Sequence, residues 1–306
     1  MLSDCSELRQ FLKQIYPSFQ ISTVAKASGQ RVVYFGRFTH RDDTEPEGCD
    51  FWGEVVVKIS EATSRASISY MQKEIEVLKT VESEHFPKLF FDDVITFDPF
   101  TEEPLNPLRM ISIEEKVNSK VLSEVMSDFN TEVKVVNFLI EIISALRILW
   151  EHPQRLIHRD LKPDNILIRN DGIIVIIDLG ILRQEGISGN THTFLSYGPC
   201  TPCYASPEQA VNDKMNISFK TDIFSLGLIC YEMLSGSNPF LLDGEPNYVD
   251  DILERVCSYE PKKLCELGIS ENISIIISKM MSKEPYKRYR TVERLIDDLS
   301  EVIKCL

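Results

Sequence analysis

No stretch of this 306-residue chain approaches the ~20 consecutive apolar residues that a bilayer span needs. Its first residues, MLSDCSELRQ, lack the basic-then-apolar pattern of a secretory signal. The chain is therefore read as cytoplasmic. Basic charge is also scarce: 33 Lys and Arg stand against 47 Asp and Glu, a formal charge of −14. Phosphate contacts require a clustered basic surface, so nucleic acid is set aside as a partner class and a basic protein is favoured. There is no internal repeat and no low-complexity tract, which removes solenoids and disordered linkers. The 8 cysteines are scattered. Cys200 and Cys203 have C-x-x-C spacing, but no second pair or histidine cluster completes a zinc site, so reduced thiols are expected.

What the chain does have is enough apolar residue, 43%, to bury a substantial core, in a length suited to one large domain or two lobes. The spacing of Leu8, Phe11, Leu12, Ile15 and Tyr16 predicts a first helix, with Asp4 as its cap, ending at Pro17. Its apolar stripe is expected to pack on a small, strand-rich lobe formed by the segments that follow it, with self-association through this helix as the other use of the stripe. The segments RVVYFGRF and EVVVKI read as strands flanking the acidic loop THRDDTEPEGCD. A helix is predicted over residues 66–81, followed by strands at LFFDDVITFD and LRMISIEEKV. VVNFLIEIISALRILWEH has the apolar density of a long buried helix, and the remainder is mostly helical.

The polar knot in LIHRDLKPDNILI carries the functional signal. His158-Arg159-Asp160-Leu161-Lys162-Pro163-Asp164-Asn165 resembles the catalytic loop of eukaryotic-type serine/threonine protein kinases. Other segments stand in that family's order: VVVK ending at Lys58, a helix carrying Glu74, DLG at Asp178, TPCYASPE ending at Glu208, DIFSLGLICYEMLSG from Asp222, and KEPYKRYR with Arg288. The resemblance covers residues 21–303. It implies an α+β, bilobal protein-kinase fold: a small antiparallel-sheet N-lobe with one main helix, and a larger helical C-lobe. The expected divisions are an extension over 1–18, the N-lobe over 19–117 and the C-lobe over 118–306.

The same resemblance implies the chemistry, which is positioning and charge neutralisation around a phosphoryl group. Asp160 would accept the proton of the attacking hydroxyl, and Lys162 would face the transferred phosphoryl. Asn165 and Asp178 would hold Mg²⁺, or Mn²⁺, as oxygen ligands. Lys58, paired with Glu74, would hold the ATP phosphates. Val56 and Leu167 would sandwich the adenine, with Gly29, Val33, Glu115 and Val117 completing the nucleotide contacts. ISIEEKV admits two registers, leaving either Ile113 or Glu114 beside the ring. Thr201 would contact Asp160, Glu208 would pair with Arg288, and Asp222 would fix the backbone near His158. Arg159 would read a phosphate on the activation segment, which offers Ser188, Thr191, Thr193, Ser196 and Tyr197. The chain departs from the pattern in VAKASGQRVVY, where only Gly29 answers to a glycine-rich phosphate loop. Leu179 replaces the usual Phe, and Cys200 stands where Gly is usual. The expected function is phosphoryl transfer from ATP to Ser/Thr hydroxyls of proteins, with autophosphorylation; the alternative is a pseudokinase serving as a nucleotide-binding or scaffolding module.

Overall fold

A computed structural model describes residues 2–25, 31–62, 65–179, 183–184 and 200–306. The chain divides into two compact units, Met1–Asn118 and Ser119–Leu306.

Unit 1 runs α1 (Ser6–Ile15), β1 (Phe19–Val24), β2 (Arg31–Phe38), β3 (Glu54–Ala62), α2 (Arg65–Thr80), β4 (Leu89–Phe97) and β5 (Pro104–Glu115). Its five strands form one antiparallel sheet in the order β1-β2-β3-β5-β4. Alternation along EVVVKI buries Val55, Val57 and Ile59 on one face and turns Val56 and Lys58 to the other. α1 covers the first face, where Leu8, Phe11, Leu12 and Tyr16 share a core with Val55, Val57, Ile59, Ile111 and Ile113. The Arg109 guanidinium lies 4.2 Å from the centre of the Phe11 ring on this side. α2 takes the opposite face, with Ile68 and Ile75 against Ala62 and Met110. Gly36 is needed where β1 bulges against β2: a Cβ there would stand 2.2 Å from the Gln20 carbonyl oxygen.

Asp4 does not cap α1. Cys5 occupies the cap position, its Sγ accepting the Leu8 N–H at 3.4 Å. The Asp4 carboxylate instead accepts a fork from Arg9 at 2.8 and 2.6 Å and the Tyr34 hydroxyl at 2.9 Å. Two charge-assisted bonds outweigh the single neutral N–H that the helix end could offer.

Unit 2 runs β6 (Ser119–Val121), α3 (Leu122–Val125), α4 (Glu132–Trp150), β7 (Leu156–Ile157), β8 (Ile166–Arg169), β9 (Ile174–Ile176), β10 (Arg183–Gln184), α5 (Pro207–Ala210), α6 (Phe219–Ser235), α7 (Val249–Ser258), α8 (Glu271–Met280) and α9 (Val292–Ile303). Helices dominate it, with short ladders β6-β8-β9 and β10-β7. α4 starts at Thr131, whose side chain accepts the Lys134 N–H, and buries Val135, Leu139, Ile142 and Leu146 among others. α6 is the central element, buried without interruption from Thr221 to Tyr231. A capping box at Ser218 opens it and Gly236, at φ 81°, closes it. Burial of its first turn carries Asp222 into the interior, and that placement organises the site. No described helix is long and apolar enough to cross a membrane.

Candidate active site

Asp222 is fully buried and accepts three hydrogen bonds. Trp150 Nε1 and the His158 N–H reach Oδ2 at 2.8 and 3.0 Å, and the Arg159 N–H reaches Oδ1 at 2.9 Å. Burial pushes this carboxyl above its usual range, while His158, the Trp150 N–H and the two backbone donors pull it back. Arg159 sits at φ 72°, a left-handed conformation that costs energy for a residue with a Cβ. Both of its backbone polar groups are tied: the N–H to Asp222, the carbonyl to Gln209 Nε2 at 2.7 Å. His158 is equally committed. Its Nδ1 accepts the Asp160 N–H at 3.3 Å, which leaves the ring proton on Nε2, 3.3 Å from the Ile177 carbonyl oxygen. With both ring nitrogens engaged by backbone, the imidazole is part of the scaffold.

That scaffold presents the Asp160 carboxylate. Oδ1 accepts the Thr201 N–H at 2.9 Å and the Thr201 hydroxyl at 2.7 Å. Oδ2 accepts Lys162 Nζ at 2.9 Å and Asn165 Nδ2 at 3.3 Å. Lys162 Nζ also donates to Thr201 Oγ1 at 2.9 Å, closing a triangle of carboxylate, ammonium and hydroxyl. Asn165 Nδ2 donates to the Asp160 carbonyl at 2.9 Å, which fixes the orientation of its side-chain amide. The Asn165 carbonyl accepts the Ile177 N–H at 3.0 Å, which brings the segment carrying Asp178 alongside. Asp178 also holds a left-handed backbone, φ 62°. Leu179, where the sequence departs from Phe, is buried. Leu167 lies in the middle strand of the three-stranded ladder, opposite Val121 and Val175, and is half-buried.

Thr201 is held from its C-terminal side as well. Ser206 and Gln209 cap α5 reciprocally, and Glu208 binds Arg288 through 2.7 and 2.8 Å bonds with both side chains almost wholly buried. Thr221 Oγ1 donates to the same carboxylate at 2.8 Å. Burial pushes the Cys200 thiol up to about 12 and the Cys203 thiol up to about 11, so both are protonated at neutral pH and poorly suited to metal or redox chemistry.

In unit 1, Lys58 lies opposite Val33 on β2 and opposite Ser112 on β5. The expected Lys58–Glu74 pair is long, 3.8 Å. The nearer carboxylate is Glu114, whose Oε2 is 2.7 Å from Lys58 Nζ. Arg31 engages Glu74 instead, donating to Oε1 at 3.1 Å and more closely to Oε2. A planar fork matches both oxygens of a carboxylate; an ammonium offers one point of contact. Ile113 is buried in the core beneath α1, whereas Glu114 lies opposite Val56, on the face of Lys58. Glu115 pairs with Lys88, donating its N–H to the Lys88 carbonyl at 2.8 Å, and Val117 is half-buried just beyond β5. Gly29 and the activation-segment positions Ser188, Thr191, Thr193, Ser196 and Tyr197 lie outside the described residues.

Sequence reasoning missed Arg31, the ion pair of Glu114, and the Gln209 and Trp150 bonds to the scaffold. Arg31 was within reach, because it stands two residues before Val33 and so shares its face. The other three depend on contacts between residues 50 or more apart in sequence.

The protein kinase domain family matches residues 52–298. Serine/threonine-protein kinase PknB of Mycobacterium tuberculosis is 32% identical over 203 residues, covering 66% of this chain and 31% of that protein. A Clostridium perfringens protein named "Probable serine/threonine-protein kinase" is 32% identical over 212 residues, 69% of this chain and 29% of its own length. PrkC of Bacillus subtilis is 34% identical over 167 residues, 54% of this chain and 24% of that kinase. The chain thus spans less than a third of these relatives. With the family match extending over most of its length, this chain belongs to the protein kinase domain family.

Proposed function

We propose that the chain is an ATP-dependent serine/threonine protein kinase. The observation that carries this reading is the Asp160–Lys162–Thr201 triangle on a backbone fixed by Asp222. Asp160 orients the hydroxyl of a Ser or Thr side chain and takes its proton. The carboxylate already accepts four bonds, of which the 3.3 Å contact from Asn165 is the longest and the one an incoming hydroxyl replaces. The hydroxyl oxygen forms a bond to the γ-phosphorus, the bond from that phosphorus to the bridging oxygen breaks, and ADP leaves with the electron pair. Lys162 supplies positive charge to the transferred oxygens from a position fixed by Thr201. The Asn165 side-chain oxygen and the Asp178 carboxylate would hold a divalent cation, a hard-donor set suited to Mg²⁺ or Mn²⁺. That ion, when bound, neutralises phosphate charge. Lys58 on β3 is assigned to the nucleotide phosphates, with Val33, Val56, Glu115, Val117 and Leu167 as nucleotide contacts. The acidic balance of the chain favours basic protein substrates. The names of PknB and PrkC support Ser/Thr specificity.

The test is incubation of the purified chain with Mg-ATP and a basic protein such as histone or myelin basic protein, with phosphosites mapped by mass spectrometry. Phosphoserine and phosphothreonine are expected on the substrate and on the chain itself. Nucleotide binding without any transfer would leave a pseudokinase.

A further inference from the structure

The charged face of unit 1 holds two carboxylates within reach of one ammonium. Lys58 Nζ stands 2.7 Å from Glu114 and 3.8 Å from Glu74. Neither alternative is free to drift. Ser112 Oγ donates to Glu114 Oε1 at 2.8 Å and leaves Oε2 turned toward Lys58, while Arg31 grips both oxygens of Glu74. The side chains are largely withdrawn from solvent, 14% exposed for Lys58, 3% for Glu114, 6% for Glu74 and 18% for Arg31, so salt screens these pairs little. Among the described residues two cations and two anions meet here, and Arg31, Lys58, Glu74 and Ser112 line a small cavity beside them.

An anionic ligand meets this network at a disadvantage. Phosphate oxygens must compete with Glu114 for Lys58, and the Glu114 charge itself opposes their approach. Glu74 cannot readily take over the lysine, because its own charge is already matched by the Arg31 fork. We propose that Glu114 is a positioning residue that holds Lys58 in a resting arrangement and thereby lowers the affinity of the site for nucleotide phosphates. The inference rests on the assignment of Lys58 to the nucleotide phosphates in the kinase reading above.

Glu114→Gln removes the charge and preserves the shape. Calorimetric titration with Mg-ATP, Mg-ADP and adenosine should show both phosphorylated ligands bound more tightly, by at least about threefold, with adenosine affinity unchanged. In turnover, KM for ATP should fall by a larger factor than kcat changes. Ser112→Ala, which loosens the Glu114 side chain without removing its charge, should move the ADP affinity in the same direction by a smaller factor. Equal or weaker ADP binding by Glu114→Gln would overturn the inference, and so would an equal gain for adenosine, since Glu114 would then be crowding the ring rather than restraining the lysine. A wild-type chain that binds no nucleotide would overturn this inference and the kinase reading together. A wild type that binds and transfers, with an unimproved Glu114 variant, would overturn this inference alone.

Discussion

The two clusters of charge in this molecule are built differently. Around Asp160, most bonds involve backbone groups or residues within five positions of the aspartate, and Asp222 pins that backbone from a buried helix. Around Lys58, four long side chains from β2, β3, α2 and β5 meet only through their ends. A network closed on backbone has one arrangement and is preorganised for chemistry. A network closed on ionic side chains depends on distances between separate elements: Lys58 stands about an ångström nearer to Glu114 than to Glu74, whose charge the Arg31 fork already matches. The first geometry is fixed by the backbone of unit 2, the second by ionic contacts among side chains of unit 1.

The largest expected effect breaks the chemistry of the cluster around Asp160 while sparing the one around Lys58. Asp160→Asn should lower phosphoryl transfer by about 10²–10⁴-fold, in the range for loss of a positioned base, with Mg-ADP affinity close to that of wild type. Phosphate incorporation and calorimetry measure the two quantities, and undiminished transfer by this variant would remove Asp160 from the reaction.

Next in size is the scaffold behind Thr201. Arg288→Ala leaves Glu208 charged and buried, and unfolding by denaturant should show a loss of about 3–5 kcal/mol. A loss confined to a few tenths of a kcal/mol would mean that water reaches the carboxylate.

On the other side of the comparison, Leu12→Ala empties part of the core between α1 and the sheet and should cost about 2–5 kcal/mol. Hydrogen exchange would localise the effect: faster exchange in β2 and β3, unchanged protection in the 158–165 loop. An unchanged β3 combined with a shift from dimer to monomer would instead mark the stripe as a surface between copies.

The smallest effect is electrostatic. The Arg9 bonds, against an opposing cost of burial, hold the Asp4 carboxyl below its ordinary value of 3.8, with the Tyr34 hydroxyl adding to the pull. A carboxyl with a lowered folded-state value contributes stability above pH 3.8 that is lost as pH falls through that lowered value. The gap in Tm between wild type and Asp4→Asn should thus be present at neutral pH and close in acid. A gap that widened in acid would reverse the assignment.

Much of this was legible before any coordinates. The alternation of EVVVKI separated Lys58 from the core residues beside it, and the helical spacing of Leu8, Phe11 and Leu12 marked the face that α1 buries. The loop from His158 to Asn165 was legible as a unit because its chemistry is local, with Asp160, Lys162 and Asn165 within five positions of one another. Asp4 was read as a cap because a cap is a local choice, but Tyr34, thirty residues away, and Arg9 made a better offer. The Lys58–Glu74 pair that the motif implies is present at 3.8 Å, but nothing in the order of the residues shows that Glu114, at 2.7 Å, is the nearer carboxylate.

The sequence by itself determined which faces are apolar, where the elements lie and which loop carries the acidic, basic and amide groups, because periodicity and short-range hydrogen bonding act over a few residues. Only the tertiary structure decided which carboxylate meets which cation. An ion pair is chosen by distance among groups that the chain brings together from separate elements, and a difference of about 1 Å between Glu114 and Glu74 has no counterpart in the order of the residues.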